Sequence, residues 1–189
     1  MTRIGIILGS TRPGRNGEAV ARWVHDIASR RDDAAYELVD IADHALPHLD
    51  EAVPPMAGVY TQPHTLAWAE RIARLDGFVF VTPEYNHSIP GALKNAIDFL
   101  YAEWGDKAAG FVGYGPLGAT RAVEHLRLIL AELQVATVRA QAALTFATDF
   151  ADHSTFRPAE ASAAAVEAVL DQTVAWSRAL EPLRRKASA

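Results

Sequence analysis

Thr82-Pro83-Glu84-Tyr85-Asn86-His87-Ser88-Ile89-Pro90-Gly91-Ala92-Leu93-Lys94-Asn95-Ala96-Ile97-Asp98 decides the fold. It leaves the apolar run that begins at Gly77, crosses a loop crowded with planar and hydrogen-bonding side chains, and enters an amphipathic helix. A continuous apolar strand is one buried on both faces, as in a parallel sheet covered by helices. Ligands of such open α/β sheets sit beyond the carboxyl ends of the strands, where this loop falls.

The same alternation extends in both directions. Arg3 to Leu8 reads as a first strand, Gly17 to Ala28 as a helix with Val20, Ala21, Val24 and Ile27 at helical spacing, and Tyr36 to Asp40 as a second strand. Residues 41 to 65 hold prolines at 47, 54, 55 and 63 and read as an irregular segment longer than ordinary connections. Leu66 to Leu75 is a predicted helix, Gly77 to Thr82 the third strand, and Gly91 to Trp104 the next helix. Ala108 to Tyr114 is the fourth strand, Ala119 to Leu133 a helix, and Val135 to Val138 a short fifth strand. Pro158 is expected to open a last helix running toward Leu183. The pattern specifies a doubly wound, five-stranded parallel sheet of order 2-1-3-4-5 with helices on both faces, as one domain over residues 1–189.

Composition narrows the function. The chain has 189 residues, half of them hydrophobic, and a net charge of -5 without a basic run before its last turn, so it carries no footprint for nucleic acid or an anionic membrane. It has no cysteine, which excludes disulfides, zinc-thiolate sites, iron–sulfur clusters and thiol chemistry. Any redox chemistry needs an organic cofactor. Ile4 to Leu8 is too short for a signal peptide and no segment has the apolar length of a membrane span, so a cytoplasmic protein is expected.

Gly9-Ser10-Thr11-Arg12-Pro13-Gly14-Arg15-Asn16 follows the first strand. Its glycines have the spacing of a nucleotide triphosphatase loop, but Arg15 and Asn16 stand where Lys and Ser/Thr are required. A G-x-G-x-x-G dinucleotide turn is also lacking. Ser10, Thr11, Asn16, two guanidinium groups and a helix start remain, which suit a terminal phosphate monoester; an ordinary solvated turn capped by Ser and Asn is the competing reading. Pro83 restrains the chain after the third strand and presents Glu84, Tyr85 and Asn86 beside that loop, where backbone groups could meet the edge of a flat ring and Tyr85 could cover its face or pack a subunit interface. Capping and turn roles are equally natural for Glu84 and Asn86. A phosphate seat beside a ring platform has the shape of flavin mononucleotide (FMN).

Other chemistries fit less well. Asp43, His44, His48 and Asp50 are close in sequence, but Pro47 breaks the helix that would align the histidines, so a metal site is not expected. His87 lies inside the ring loop, where an exposed turn histidine is the plainer account than a proton donor. No G-x-S-x-G elbow supports a hydrolase, and Gly9-Ser10 and Pro83-Glu84 occupy the places where a phosphoacceptor domain needs its acids.

Gly9-Ser10-Thr11-Arg12 and the run Pro83 to Asp98 closely resemble the G-S-x-R and P-E-Y-N-x-S-x-P-G-x-L-K-N-A-I-D patterns of the NADPH-dependent FMN reductase family, a flavodoxin-like group that includes quinone, azo-compound and chromate reductases. The resemblance extends through Gly115 to Ala119 and His125-Leu126-Arg127, over roughly residues 3 to 140. It implies FMN as cofactor, NADPH or NADH as donor, and a small-molecule electron acceptor. Ser10, Arg12 and Asn16, with Arg15 beside them, would hold the phosphate; Pro83, Glu84, Tyr85 and Asn86 would line the ring; Gly113, Tyr114, Gly115 and Gly118 would approach it from the fourth strand. Many members carry small hydroxyl residues where this chain has Gly113-Tyr114-Gly115. No side-chain acid or base is required, since the flavin carries the chemistry. The apolar run Ala92 to Trp104, with the resemblance, leads to an expected homodimer or tetramer. A non-enzymatic flavin-binding or electron-carrier protein is the alternative.

Overall fold

In the computed structural model, which describes residues 1–187, five parallel strands lie in the order β2-β1-β3-β4-β5. They are β1 (Arg3–Leu8), β2 (Ala35–Asp40), β3 (Gly77–Pro83), β4 (Ala108–Gly115) and β5 (Ala136–Thr145). β1 pairs on one side with β2, Ile6 opposite Leu38, and on the other with β3, Ile6 opposite Val79. The flavodoxin-like order expected from the alternation is the one observed.

Period-two patterning divides the core by chemistry. Ile7, Phe78, Phe80, Ala109 and Phe111 face α2 (Pro63–Ala73), α3 (Gly91–Asp98) and α4 (Thr120–Glu132), forming an aromatic layer with Trp68 and Trp104. Ile4, Ile6, Leu8, Val79, Val81 and Val112 face α1 (Gly17–Ala28) and α6 (Glu160–Ala179), in an aliphatic layer with Val20, Val24, Val166 and Leu170. Every residue of β3 and β4 is buried, which is why both read as uninterrupted apolar runs.

Several boundaries depart from the sequence expectation. α3 stops at Asp98, and the chain turns through i→i+3 bonds such as Leu100 N–H to Ile97 O at 3.3 Å. Trp104 leaves the helix to enter the aromatic layer, where its indole N–H donates to Ile97 O at 3.1 Å. Leu93, Ile97, Phe99, Leu100 and Trp104 are each at most 1% exposed, so these apolar side chains are spent on the protomer's own core. α2 begins at Pro63, in its first turn, and ends at Ala73. β5 continues past Val138 to Thr145. Pro158 stands ahead of α6, whose cap is Ala159, and the final helix is broken at Leu180 before α7 (Glu181–Ala187), which carries Pro182 in its first turn.

Residues 41–62 contain two short 3₁₀ turns, Ile41–His44 and Pro55–Ala57. Glu51 ties this segment together by accepting hydrogen bonds from the Thr61 and Gln62 amides at 3.0 and 2.9 Å. Between β5 and α6 lie a helical turn, α5 (Phe146–Asp149), and a small hairpin, β6 (Phe150–Ala151) and β7 (Thr155–Phe156). Among the described residues no helix is long and apolar enough to cross a membrane.

Candidate functional site

The carboxyl ends of β1, β3 and β4 deliver three loops to one cleft of about 290 Å³. Arg12, Asn16, Pro83, Glu84, Tyr85, Tyr114 and Gly115 line it, so the two loops singled out in the sequence and the start of the third do converge. Ser10, Arg15, Asn86, Gly113 and Gly118 stand outside the lining, where their contacts explain why these residue types are present.

Ser10 is fully buried, and its hydroxyl lies 2.9 Å from Tyr85 Oη while accepting the Arg12 N–H at 3.4 Å. It is a strut between the loops. Arg15 turns toward the sheet edge, pairing with Asp40 at the end of β2 and donating to the Ser10 carbonyl. Its guanidinium thus holds the loop's shape through these two contacts. Arg12 reaches the cleft with no ion pair among the described residues. Asn16 caps α1 from the helical region, and its Nδ2–H donates to His153 O at 3.3 Å.

After β3 the chain makes a two-residue turn. Tyr85 N–H donates to Ser88 O at 2.9 Å, Ser88 N–H returns a bond to Tyr85 O at 3.2 Å, and Asn86 and His87 between them have φ of 49° and 75°. Two positive φ values define the mirror-image turn that suits tight hairpins, and asparagine is among the few side chains that adopt it readily. Asn86 therefore shapes the turn and points outward, exposed. Glu84 pairs with Arg121 and accepts the Ala122 amide at 3.4 Å near the start of α4. Burial alone would raise the Glu84 carboxyl, but the Arg121 bond and the helix-end amide outweigh it and hold the group below its ordinary range.

Tyr114 is 3% exposed, and a Cβ at Gly17 would collide with its hydroxyl. Gly17 is thus a glycine so that the α1 terminus can meet this phenol. Burial first, and then the neighbouring Tyr85, push the Tyr114 hydroxyl above its ordinary range, keeping it protonated. At the turn beyond, a Cβ on Gly113 would strike the Gly118 carbonyl, and Gly118 has φ 60° against Ala143. These glycines let the β4 loop fold tightly against the sheet edge.

The far wall was not foreseen. Phe146 and His153, from the segment after β5, and Pro116 complete the lining. Phe146 packs edge-on against Phe150 at 5.0 Å and against His153 at 5.8 Å, and Phe150 meets Phe156 at 5.2 Å. Asp149 staples the segment: it accepts from the Thr145 amide at 2.9 Å, the Ala159 amide at 3.1 Å, and the Thr148 and Ser162 hydroxyls at 2.6 Å each. Burial works against its charge, but these donors keep the carboxyl below the usual aspartate range. The spacing of Phe146, Phe150 and Phe156 around Asp152-His153-Ser154 is the signal that could have revealed a hairpin.

The cleft thus brings together an Arg12 guanidinium without an ion pair among the described residues, the α1 terminus, two tyrosines, a glycine turn and an aromatic wall. The family model for NADPH-dependent FMN reductase matches residues 2–149. The chain is 41% identical over 149 residues to an NAD(P)H-dependent FMN reductase of Schizosaccharomyces pombe, covering 78% of this chain and 74% of the relative. It is 32% identical over 142 residues to a 2-hydroxy-1,4-benzoquinone reductase of a Burkholderia species, covering 70% and 72%. Among solved structures, a flavoenzyme NAD(P)H:(acceptor) oxidoreductase of Paracoccus denitrificans superposes with a TM-score of 0.71 over 94% of this chain and 98% of that one at 24% identity, a likeness of fold.

Proposed function

The chain belongs to the NADPH-dependent FMN reductase family, and from that premise we propose that it is an oxidoreductase using FMN, seated in this cleft, to pass electrons from NADPH or NADH to a small acceptor such as a quinone. The observation that carries the assignment of the site is the placing of the unpaired Arg12 guanidinium and the Tyr85–Tyr114–Gly115 face in one cleft. When bound, FMN supplies hydride chemistry that no side chain here can supply.

The donor set fits that cofactor. Arg12, at the entry to α1, offers a charge-assisted contact to a phosphate where the helix dipole also favours an anion. Asn16 sits beside it in the lining. Pro83 and Glu84 bring main-chain groups to the cleft, and the Glu84 carboxylate is already spoken for by Arg121, which leaves its backbone as the useful part. Tyr85, fixed through Ser10, and Tyr114, fixed against Gly17, set the width of the slot without relying on loop mobility. Phe146 and His153 form the aromatic side of the lining.

Anaerobic addition of NADPH to the FMN-loaded protein tests the enzymatic reading. Rapid bleaching of the flavin absorbance supports it, and a flavin that stays yellow reduces the protein to a carrier. A homodimer or tetramer is proposed on a new footing: Leu49, Met56, Val59 and Leu66 are 41, 65, 53 and 52% exposed along one segment. Light scattering that finds only monomer at micromolar concentration contradicts it.

A further inference from the structure

Two imidazoles stand together outside the cleft lining. His87 occupies the second position of the Tyr85–Ser88 turn, and His125 projects from α4. Their ring centroids are 5.8 Å apart with planes inclined by 45°, and both residues are exposed. Ser88 Oγ lies 3.0 Å from His125 Nδ1.

His87 holds a position that glycine fills more easily. At φ 75° a side chain is strained relative to right-handed backbone, and turns of this kind favour Asn-Gly. The Tyr85–Ser88 pair of main-chain bonds keeps the strained residue in place, which aims its ring toward α4. Backbone strain kept in a fixed turn beside a cleft is where function is to be sought.

We propose that His87 and His125 form a site for one late first-row divalent cation, Zn²⁺, Ni²⁺ or Cu²⁺, bridging the β3 turn to α4 at the rim of the cleft. Neutral imidazole is the ligand these ions prefer. Metal–nitrogen lengths of about 2.1 Å, carried on to the ring centres, place two imidazoles on one metal roughly 5–6 Å apart between centroids. The observed separation of 5.8 Å falls within that range. When His125 donates its Nδ1–H to Ser88 Oγ, its Nε2 lone pair is free for the metal, the outer contact that commonly orients a ligating histidine. Structural zinc sites use four protein ligands, so two imidazoles completed by water make an exchangeable site, one that braces the turn carrying Pro83 to Tyr85 against α4. The proposal is independent of what the cleft itself binds.

Titration of the full chain with ZnCl₂ by calorimetry, with and without FMN, tests it. Wild type takes up one zinc per chain. His87→Gly, which suits the turn and preserves folding, and His125→Gln each weaken the affinity at least about tenfold; Ser88→Ala, which leaves both ligands, weakens it by about tenfold, the lower end of the range for outer partners. His64→Gln, whose ring is engaged 2.9 Å from Asp50, binds like wild type. In the proton spectrum of the unmutated protein the ring resonances of His87 and His125 shift together with zinc while that of His25 does not. Unchanged affinity in His87→Gly and His125→Gln, binding that follows His64 instead, an absence of stoichiometric uptake, or an unshifted pair overturns the proposal.

Discussion

Ser10 Oγ and Tyr85 Oη, 75 residues apart in the chain, meet at 2.9 Å and lock the β1 loop to the β3 loop. Ser10 is fully buried, so its hydroxyl has little chance of a substitute partner in water. Tyr85→Phe is therefore expected to lower stability by about 1–3 kcal/mol, the cost of leaving a buried polar group short of a bond. In a double-mutant cycle with Ser10→Ala, denaturant unfolding should give a coupling of about 0.5–3 kcal/mol. Strict additivity would show that the bond has no energetic weight.

Asn86 separates a backbone role from a contact role. With φ at 49°, leucine there should cost about 1–2 kcal/mol and widen the cleft, whereas glycine should keep both stability and cofactor affinity. Denaturant unfolding and flavin titration on Asn86→Leu and Asn86→Gly check this. If Asn86→Gly loosens FMN as much as Asn86→Leu does, the side chain itself touches the ligand.

Much of this was legible before the structure. β1, β3 and β4 read as continuous apolar runs because both their faces are covered, and the two loops that matter follow directly from them. What escaped depends on partners distant in sequence. Phe99, Leu100 and Trp104 continue a helical spacing, yet the chain leaves the helix because the aromatic layer and the Ile97 carbonyl claim the tryptophan. β5 stayed hidden beyond Val138 because its pattern is carried by Ala140, Ala142 and Leu144, and alanine marks a strand weakly. The pairing of Arg15 escaped because nothing local announces Asp40, 25 residues on. The Phe146–His153 wall depends on the four donors that gather at Asp149.

Stability should rise with alkaline pH before it falls. Lys107 is 5% exposed, donates to Ile72 O at 2.8 Å, and burial depresses its ammonium to about 8. Between pH about 8 and about 10.5 the unfolded chain binds a proton there that the folded chain does not, so the contribution of Lys107 alone to the unfolding free energy increases by at most about 3 kcal/mol, and the net rise holds up to about pH 10. Above pH about 10 the sign reverses. Burial raises the Tyr36, Tyr60 and Tyr114 hydroxyls, so the folded chain keeps protons that the unfolded chain loses. Denaturant unfolding at intervals from pH 7 to 11 checks this, and Lys107→Met should flatten the rising limb; an unchanged limb would remove Lys107 as its source.

A flavin at the mouth of an open sheet offers one ring face, so NADPH and a quinone are expected to occupy the same space in turn. Initial rates with both varied should give parallel double-reciprocal lines. Intersecting lines would require room for both at once and a larger site than the one lined by Tyr85, Tyr114 and Phe146.

The central claim is that Arg12 holds the phosphate of FMN in this cleft, and fluorescence titration of the flavin-free protein with FMN and with riboflavin tests it most directly. A charge-assisted contact of about 1.5–3 kcal/mol predicts that Arg12→Ala weakens FMN by roughly 10–150-fold while riboflavin, lacking the phosphate, binds both proteins equally. Equal FMN affinity in wild type and Arg12→Ala would contradict the account.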